Sequence, residues 1–497
     1  MRSSGILLHI SSLPSPYGIG TMGKAAYNFI DFLKGAGQKY WQILPLSPTS
    51  FGDSPYQSFS TFAGNPYFID LDILNSENLL TKDDLKNLNE QKPNIINDKG
   101  EYVDYEFIYN TKYKILKKAF SNFDLNDKKF KLFKEKNSYW LSDYSLFMTL
   151  KYLNSEKPWY KWDKKFFYKK NNTYLKNIEK HYTDDINFWC FIQYKFFEQW
   201  CKLKEYANNN GIKIIGDIPI YVAYDSVDIW RNPKNFDLDK NYKLINVAGC
   251  PPDLFSETGQ MWGNPVYDWE YMKKDNYNWW IKRLKMASEI YHVIRIDHFR
   301  GFESYYSIPA EDDNAVNGKW KKGPGIDFFN TVNKEIKDIK IIAENLGFLT
   351  DDVKDLLKAT GYPGMCVLEF AFDSIDEPSI YLPHNHDKNN VLYIGTHDNS
   401  TALGWLNKLN HQSLQYMMKY FDFENDQGIV WKLIRKAFSS VCDTVIIQMQ
   451  DYLVLDDTAR MNTPSTMENN WCWRTTPDCF SDDLKQSIKE LTKIYQR

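Results

Sequence analysis

Eight short apolar runs, each ending in a polar or turn residue, set what this chain can fold into. They are Gly5–Ile10 (GILLHI), Tyr40–Leu46 (YWQILPL), Ile212–Ile220 (IKIIGDIPI), His292–Asp297 (HVIRID), Lys340–Asn345 (KIIAEN), Cys366–Phe372 (CVLEFAF), Val391–Thr396 (VLYIGT) and Thr444–Met449 (TVIIQM). Segments of helical spacing lie between most of them, such as Ala25–Gly35, Asn278–Glu289 and Asp351–Thr360. β-Branched runs alternating with helices predict parallel strands. Eight such units predict an α/β fold, the (β/α)8 barrel. An open doubly wound sheet is the competing arrangement. It wants a Gly-rich phosphate turn after the first strand, and GxGxxG is absent there.

A chain of 497 residues nominally suggests roughly three domains, but a barrel with insertions absorbs that length. The reading is one barrel over residues 1–497. Residues 75–190, rich in Lys, Asn, Asp and Tyr, form an inserted, mainly helical subdomain. Within it, residues 130–153 place apolar side chains at helical spacing. Asp387–Asn390 and Lys169–Asn172 read as solvated loops.

Composition removes several functions. The 61 Lys+Arg nearly cancel the 64 Asp+Glu, so the basic excess of a dedicated nucleic-acid binder is missing. No apolar run approaches the ~20 residues that span a bilayer. The N-terminal MRSSGILLHISSLPSP holds too short an apolar run for a signal peptide. Seven cysteines, odd in number and without CxxC spacing, read as reduced thiols of a cytoplasmic protein.

Chemistry gathers at the strand ends. Asp217 closes KIIGD, Asp297 closes VIRID, Glu344 closes KIIAE, and Asp398 follows LYIGTH. A single such Asp serves equally well as a helix N-cap. In a barrel, however, the C-terminal ends of all strands converge on the face that holds active sites. Four carboxylates from four strands then share one pocket. Arg295 precedes Asp297 by two residues and faces the same side of the strand. Its guanidinium can hold that carboxylate ionised and oriented. His298 follows Asp297, and His397 precedes Asp398. HExxH, Walker A and GxSxG patterns are absent. Clustered carboxylates without metal or phosphate motifs suit glycoside chemistry, which needs one ionised nucleophile and one protonated acid. Tyr56 in GDSPYQ and Trp262 in QMWGNP lie in Gly/Pro-marked loops, where a ring can stack on a sugar.

An ordered set of motifs over almost the whole chain resembles glycoside hydrolase family 77, the 4-α-glucanotransferases or amylomaltases. It comprises SLPSPYGIG from Ser12, GDSPYQ from Gly52, AGNPY from Ala63, GDIPIYV from Gly216 and PPD from Pro251. RIDHFRGF from Arg295, AENLG from Ala343, THDN from Thr396 and NNW from Asn469 complete it. The resemblance implies Asp297 as nucleophile, Glu344 as general acid/base and Asp398 as transition-state stabiliser. It places Asp217, Arg295, His298 and His397 around the sugar and makes Tyr56 a stacking platform. Trp262, Pro265 and Asn462 complete the expected substrate-binding set. The loop near Pro251–Trp262, within an inserted region of residues 225–275, is expected to close over the acceptor side. Ser465 stands where many relatives have Gly, and Leu254 where some carry an aromatic. The implied substrates are α-1,4-glucans and glucose, with no cofactor and no metal. The same carboxylates would equally serve an α-amylase-type hydrolase with water as acceptor; only the closing loop and the family resemblance favour transfer.

Overall fold

The computed structural model describes residues 2–93, 96–97, 100–168, 172–252, 256–347, 349–372 and 379–497. Each apolar run supplies one strand of a single parallel sheet. The strands are β1 (Ser3–Leu7), β2 (Tyr40–Gln42), β3 (Lys213–Pro219), β4 (Val293–Asp297), β5 (Ile341–Ala343), β6 (Gly364–Val367), β7 (Asn390–Tyr393) and β8 (Thr444–Gln448). Their order is β5-β4-β3-β2-β1-β8-β7-β6, with every pairing parallel. The two ends of that order meet. Ala343 N–H donates to Pro363 O at 2.9 Å, and Met365 N–H donates to Asn345 Oδ1 at 2.7 Å. The sheet is thus a barrel.

Period-two alternation sorts the side chains. Leu7, Ile215, Val293, Ile342, Met365, Val367, Val391 and Ile446 form one apolar plug inside the barrel. Their neighbours Ile6, Ile214, Ile294 and Ile447 point outward into the large core beneath the helices. Two residues beyond the plug the inward positions turn polar: His9, Asp217, Arg295, Glu344 and Gln448. The barrel therefore has an apolar base and a charged top, written into the i, i+2 spacing of each strand.

The helices follow their local signals. The helix Lys24–Gly35 buries Phe29 and Leu33, and Phe29 meets Trp41 edge-on at 5.1 Å. The helix Asp351–Thr360 stops at Gly361, which takes the left-handed conformation (φ 69°) and returns its N–H to Leu357 O. Such a stop is natural to glycine, which has no Cβ to clash. Between β2 and β3 the chain runs through seven described α-helices, ending in the 27-residue Thr183–Asn209. The segment 130–153 is two helices rather than one. Asn137 breaks it, closing Lys128–Lys136 with its own Nδ2 on Phe133 O at 2.9 Å and opening Ser138–Leu153. Asn390 begins β7 instead of ending a loop. Residues 169–171 lie outside the described residues, and Asn172 caps the helix Thr173–His181.

Residues 225–275 are more ordered than a loop. Asn246–Cys250 and Gln260–Pro265 pair antiparallel, and with Ser304–Pro309 and Lys319–Lys322 they form a four-stranded sheet. A Cβ at Gly249 would lie 2.0 Å from Gln260 O, so this pairing requires glycine there. Among the described residues no helix is long and apolar enough to cross a membrane.

Candidate active site

One cleft of about 640 Å³ opens at the C-terminal ends of the strands, lined by Tyr56, Trp262, Asp297, His298, Glu344, Asp398 and Asn462 among others. Its floor is a buried polar relay. Arg295 Nη1 contacts Asp217 Oδ2 at 2.5 Å and Asp297 Oδ1 at 3.0 Å. Tyr56 O–H donates to the same Asp217 oxygen at 2.8 Å, and its oxygen lies 2.8 Å from His397 Nε2. A hydroxyl has one proton. Tyr56 gives it to Asp217 and therefore accepts from His397. His397 Nε2 also lies 3.1 Å from Asp398 Oδ2.

Exposure divides the residues by what they can do. The Asp217, Arg295 and His397 side chains are 0%, 3% and 2% exposed, so they sit in the floor and hold their neighbours. Asp297 and Asp398, at 28% and 40%, face the cleft. Each cleft carboxylate has its own supports. Glu344 accepts His298 N–H at 2.6 Å and Leu346 N–H at 2.7 Å. Asp398 accepts Asn462 Nδ2–H at 2.6 Å.

The charges follow from these supports. Burial among the cleft walls pushes Asp297 up to about 7; Arg295 opposes this, and the Asp217, Glu344 and Asp398 carboxylates add to it. Burial likewise raises Glu344, against Arg295 and its two backbone N–H donors. Burial also pushes Asp398 up, but His397 and Asn462 outweigh it and hold that carboxyl well below the ordinary range. Burial, with Arg300 nearby, lowers His298 to about 3, which keeps it neutral.

The walls are aromatic and amide-bearing. Trp262 meets His298 edge-on at 4.9 Å, and Tyr56 stacks on His397 with centroids 5.3 Å apart. Asn264 exchanges hydrogen bonds with Gln57 and donates to Val222 O at 2.8 Å. Pro265 does not reach the cleft. It is buried opposite Val247 and is not among the residues that line the cleft. Ser465 keeps a left-handed backbone, φ 65°, although it is not glycine. Leu254 lies outside the described residues.

Arg460 was not among the residues singled out in the sequence. Its Nη2 donates to Asp398 O at 2.5 Å and its Nε to Asn462 O at 2.7 Å, fixing both partners of the Asp398–Asn462 bond. Only the lone cationic side chain between Ala459 and Met461, two positions before Asn462, could have signalled it.

A (β/α)8 barrel whose top carries three cleft carboxylates of unlike environment, walled by aromatic rings, defines a glycoside-bond enzyme. Comparison narrows the class. A family model described as 4-alpha-glucanotransferase matches residues 8–479. The chain is 50% identical over 493 residues to a 4-alpha-glucanotransferase of Clostridium butyricum, covering 99% of this chain and 100% of that one. It is 48% identical over 499 residues to one of Streptococcus pneumoniae serotype 4, covering 100% and 97%. A solved amylomaltase of Streptococcus agalactiae, in complex with acarbose, is 40% identical, with a TM-score of 0.95 over 100% of both chains. The chain belongs to the 4-alpha-glucanotransferase family, and its activity is transglycosylation.

Proposed function

We propose that the cleft moves an α-1,4-glucan segment from a maltooligosaccharide or starch-type donor to the 4-OH of glucose or another glucan. Asp297 attacks the anomeric carbon while Glu344 gives its proton to the departing glycosidic oxygen. The acceptor hydroxyl then attacks the glycosyl-enzyme as Glu344 takes that hydroxyl's proton, and the Asp297 carboxylate leaves. Asp398, held ionised by His397 and Asn462, stabilises the oxocarbenium-like ring through its hydroxyls. The observation that carries this reading is the asymmetry around Arg295. The guanidinium touches Asp297 Oδ1 and reaches no Glu344 oxygen, which favours the ionised form of Asp297, while burial raises Glu344 toward the protonated acid.

Tyr56 and Trp262 supply ring faces for the sugar. His298, neutral and beside both Trp262 and Glu344, supplies an imidazole nitrogen for its hydroxyls. Residues 225–275, which bring Gln260, Trp262 and Asn264 to the cleft, close its acceptor side; among the described residues, none that lines the cleft comes from the helical insertion at residues 75–190. The sparse cysteines, odd in number and without CxxC spacing, support a cytoplasmic location. Chromatography of products from pure maltotriose tests the assignment. Transfer gives glucose plus a ladder of longer oligomers with little gain in reducing ends. A steady rise in reducing ends without longer products assigns a hydrolase instead.

A further inference from the structure

His9 ends the first apolar run, two residues past Leu7 of the plug, so its ring enters the barrel beneath the cleft. It is buried, and its Nδ1 accepts Leu44 N–H at 3.2 Å. An imidazole whose Nδ1 accepts a backbone N–H carries its proton on Nε2 when neutral. Burial lowers His9 to about 3, so it stays neutral. Its second nitrogen is therefore a donor.

His397 shows the complementary need. Its Nε2 carries a proton toward Tyr56 and Asp398, as the Tyr56 hydroxyl requires. Its Nδ1 is buried and no protein group reaches it. His9 and His397 line one small space of about 10 Å³ together with Gln448 and Gln450. That is room for one water molecule. The amide N–H groups of Gln448 and Gln450 are directed to Ser400 O at 3.4 Å and Ala459 O at 3.1 Å, which leaves their carbonyl oxygens as acceptors. A water placed there could accept from His9 Nε2–H and donate to His397 Nδ1 and to a glutamine oxygen. Three partners are the usual number for a buried water.

We infer that His9 is a positioning residue for the transfer reaction, anchoring the rear nitrogen of His397 through one buried water. The anchor fixes the imidazole about its Cβ–Cγ bond and keeps Nε2–H aimed at Tyr56 and Asp398. This role rests on the reading of Asp398 as the group that stabilises the transition state, so loss of His9 acts on kcat rather than on glucan affinity.

The test uses two substitutions of unlike reach. His9→Asn keeps an oxygen for Leu44 N–H but withdraws the donor from the space. It should melt like the parent, lower kcat for maltotriose transfer about tenfold and leave KM nearly unchanged. His9→Gln extends an amide N–H toward the same space and should hold kcat within about threefold of the parent. In a His397→Asn background, His9→Asn should cost nothing further, because the two act as one unit. An unchanged kcat in His9→Asn, or an additive loss in the double variant, overturns the inference. Undiminished transfer in His397→Asn alone overturns the reading of the cleft instead. If His9→Asn does not fold, a high-resolution crystal structure of the parent decides. A water within hydrogen-bond distance of both imidazoles supports the anchor, and a dry space ends it.

Discussion

Arg295 and Asp217 form an ion pair inside the barrel, 2.5 Å from Nη1 to Oδ2, with neither side chain more than 3% exposed. The same guanidinium nitrogen also reaches Asp297. Removing it strands buried charge. Arg295→Met should destabilise the fold by about 3–5 kcal/mol, the usual cost of leaving a buried partner unpaired. The loss should shrink as pH falls, because the stranded carboxylates can then protonate. Denaturant melts at pH 8 and pH 6 measure both effects; equal losses at the two pH values would show that packing, not charge, is at stake.

The pH profile carries a second expectation. Asp297 must be ionised to attack, and burial raises it to about 7. Below that value it is protonated, so kcat/KM should fall as pH drops through about 7 rather than near 4. Asp217 is one of the carboxylates that raise it. Asp217→Asn should therefore move the acid limb to lower pH, whatever it does to the maximum. The stability sign is the reverse. A carboxyl raised by folding stabilises fully below its ordinary value, and that contribution is lost as pH rises through about 7.

Much of this site was legible in the sequence because strand geometry is so restrictive. Once IKIIGD, VIRID and KIIAE are strands of one barrel, period two forces Asp217, Arg295, Asp297 and Glu344 inward at the same end. What escaped has a common physical origin. Arg460 meets Asp398 across 62 positions of sequence, and the sheet of Asn246–Cys250 with Ser304–Pro309 pairs segments more than 50 residues apart. Neither leaves a local period to read. Asn137 escaped for the opposite reason: apolar spacing ran through it, while its side chain capped the turn. Pro265 was expected at the site beside Trp262, yet it is buried against Val247 and does not line the cleft.

Tyr56 separates hydroxyl from ring. Tyr56→Phe keeps the stack on His397 but breaks the bonds to Asp217 and His397. Hydrogen bonds to charged groups contribute about 1.5–3 kcal/mol, so kcat should fall roughly 10- to 100-fold with a small change in KM. Tyr56→Ala removes the platform as well and should also raise KM. Steady-state kinetics on maltotriose compares the two. A Tyr56→Phe variant with parental kcat would show that the hydroxyl relay does not support the reaction.

The last expectation separates the two catalytic carboxyls. Asp297→Asn keeps the shape but removes the nucleophile, so transfer should fall by several orders of magnitude while maltooligosaccharide binding persists. Binding by calorimetry checks the second half. Glu344→Gln should behave differently with an α-glycosyl fluoride donor, because fluoride departs without protonation. The first step then needs only Asp297. The second step still needs a base for the acceptor hydroxyl, and Gln cannot take that proton. A glycosyl-enzyme should therefore accumulate, and mass spectrometry of peptides should place the sugar on the one containing Asp297. A sugar on the Asp398 or Asp217 peptide would reassign the nucleophile. Undiminished turnover of maltotriose by Glu344→Gln, with no adduct, would remove Glu344 from proton transfer, leaving its two backbone N–H bonds as scaffolding for the His298 turn.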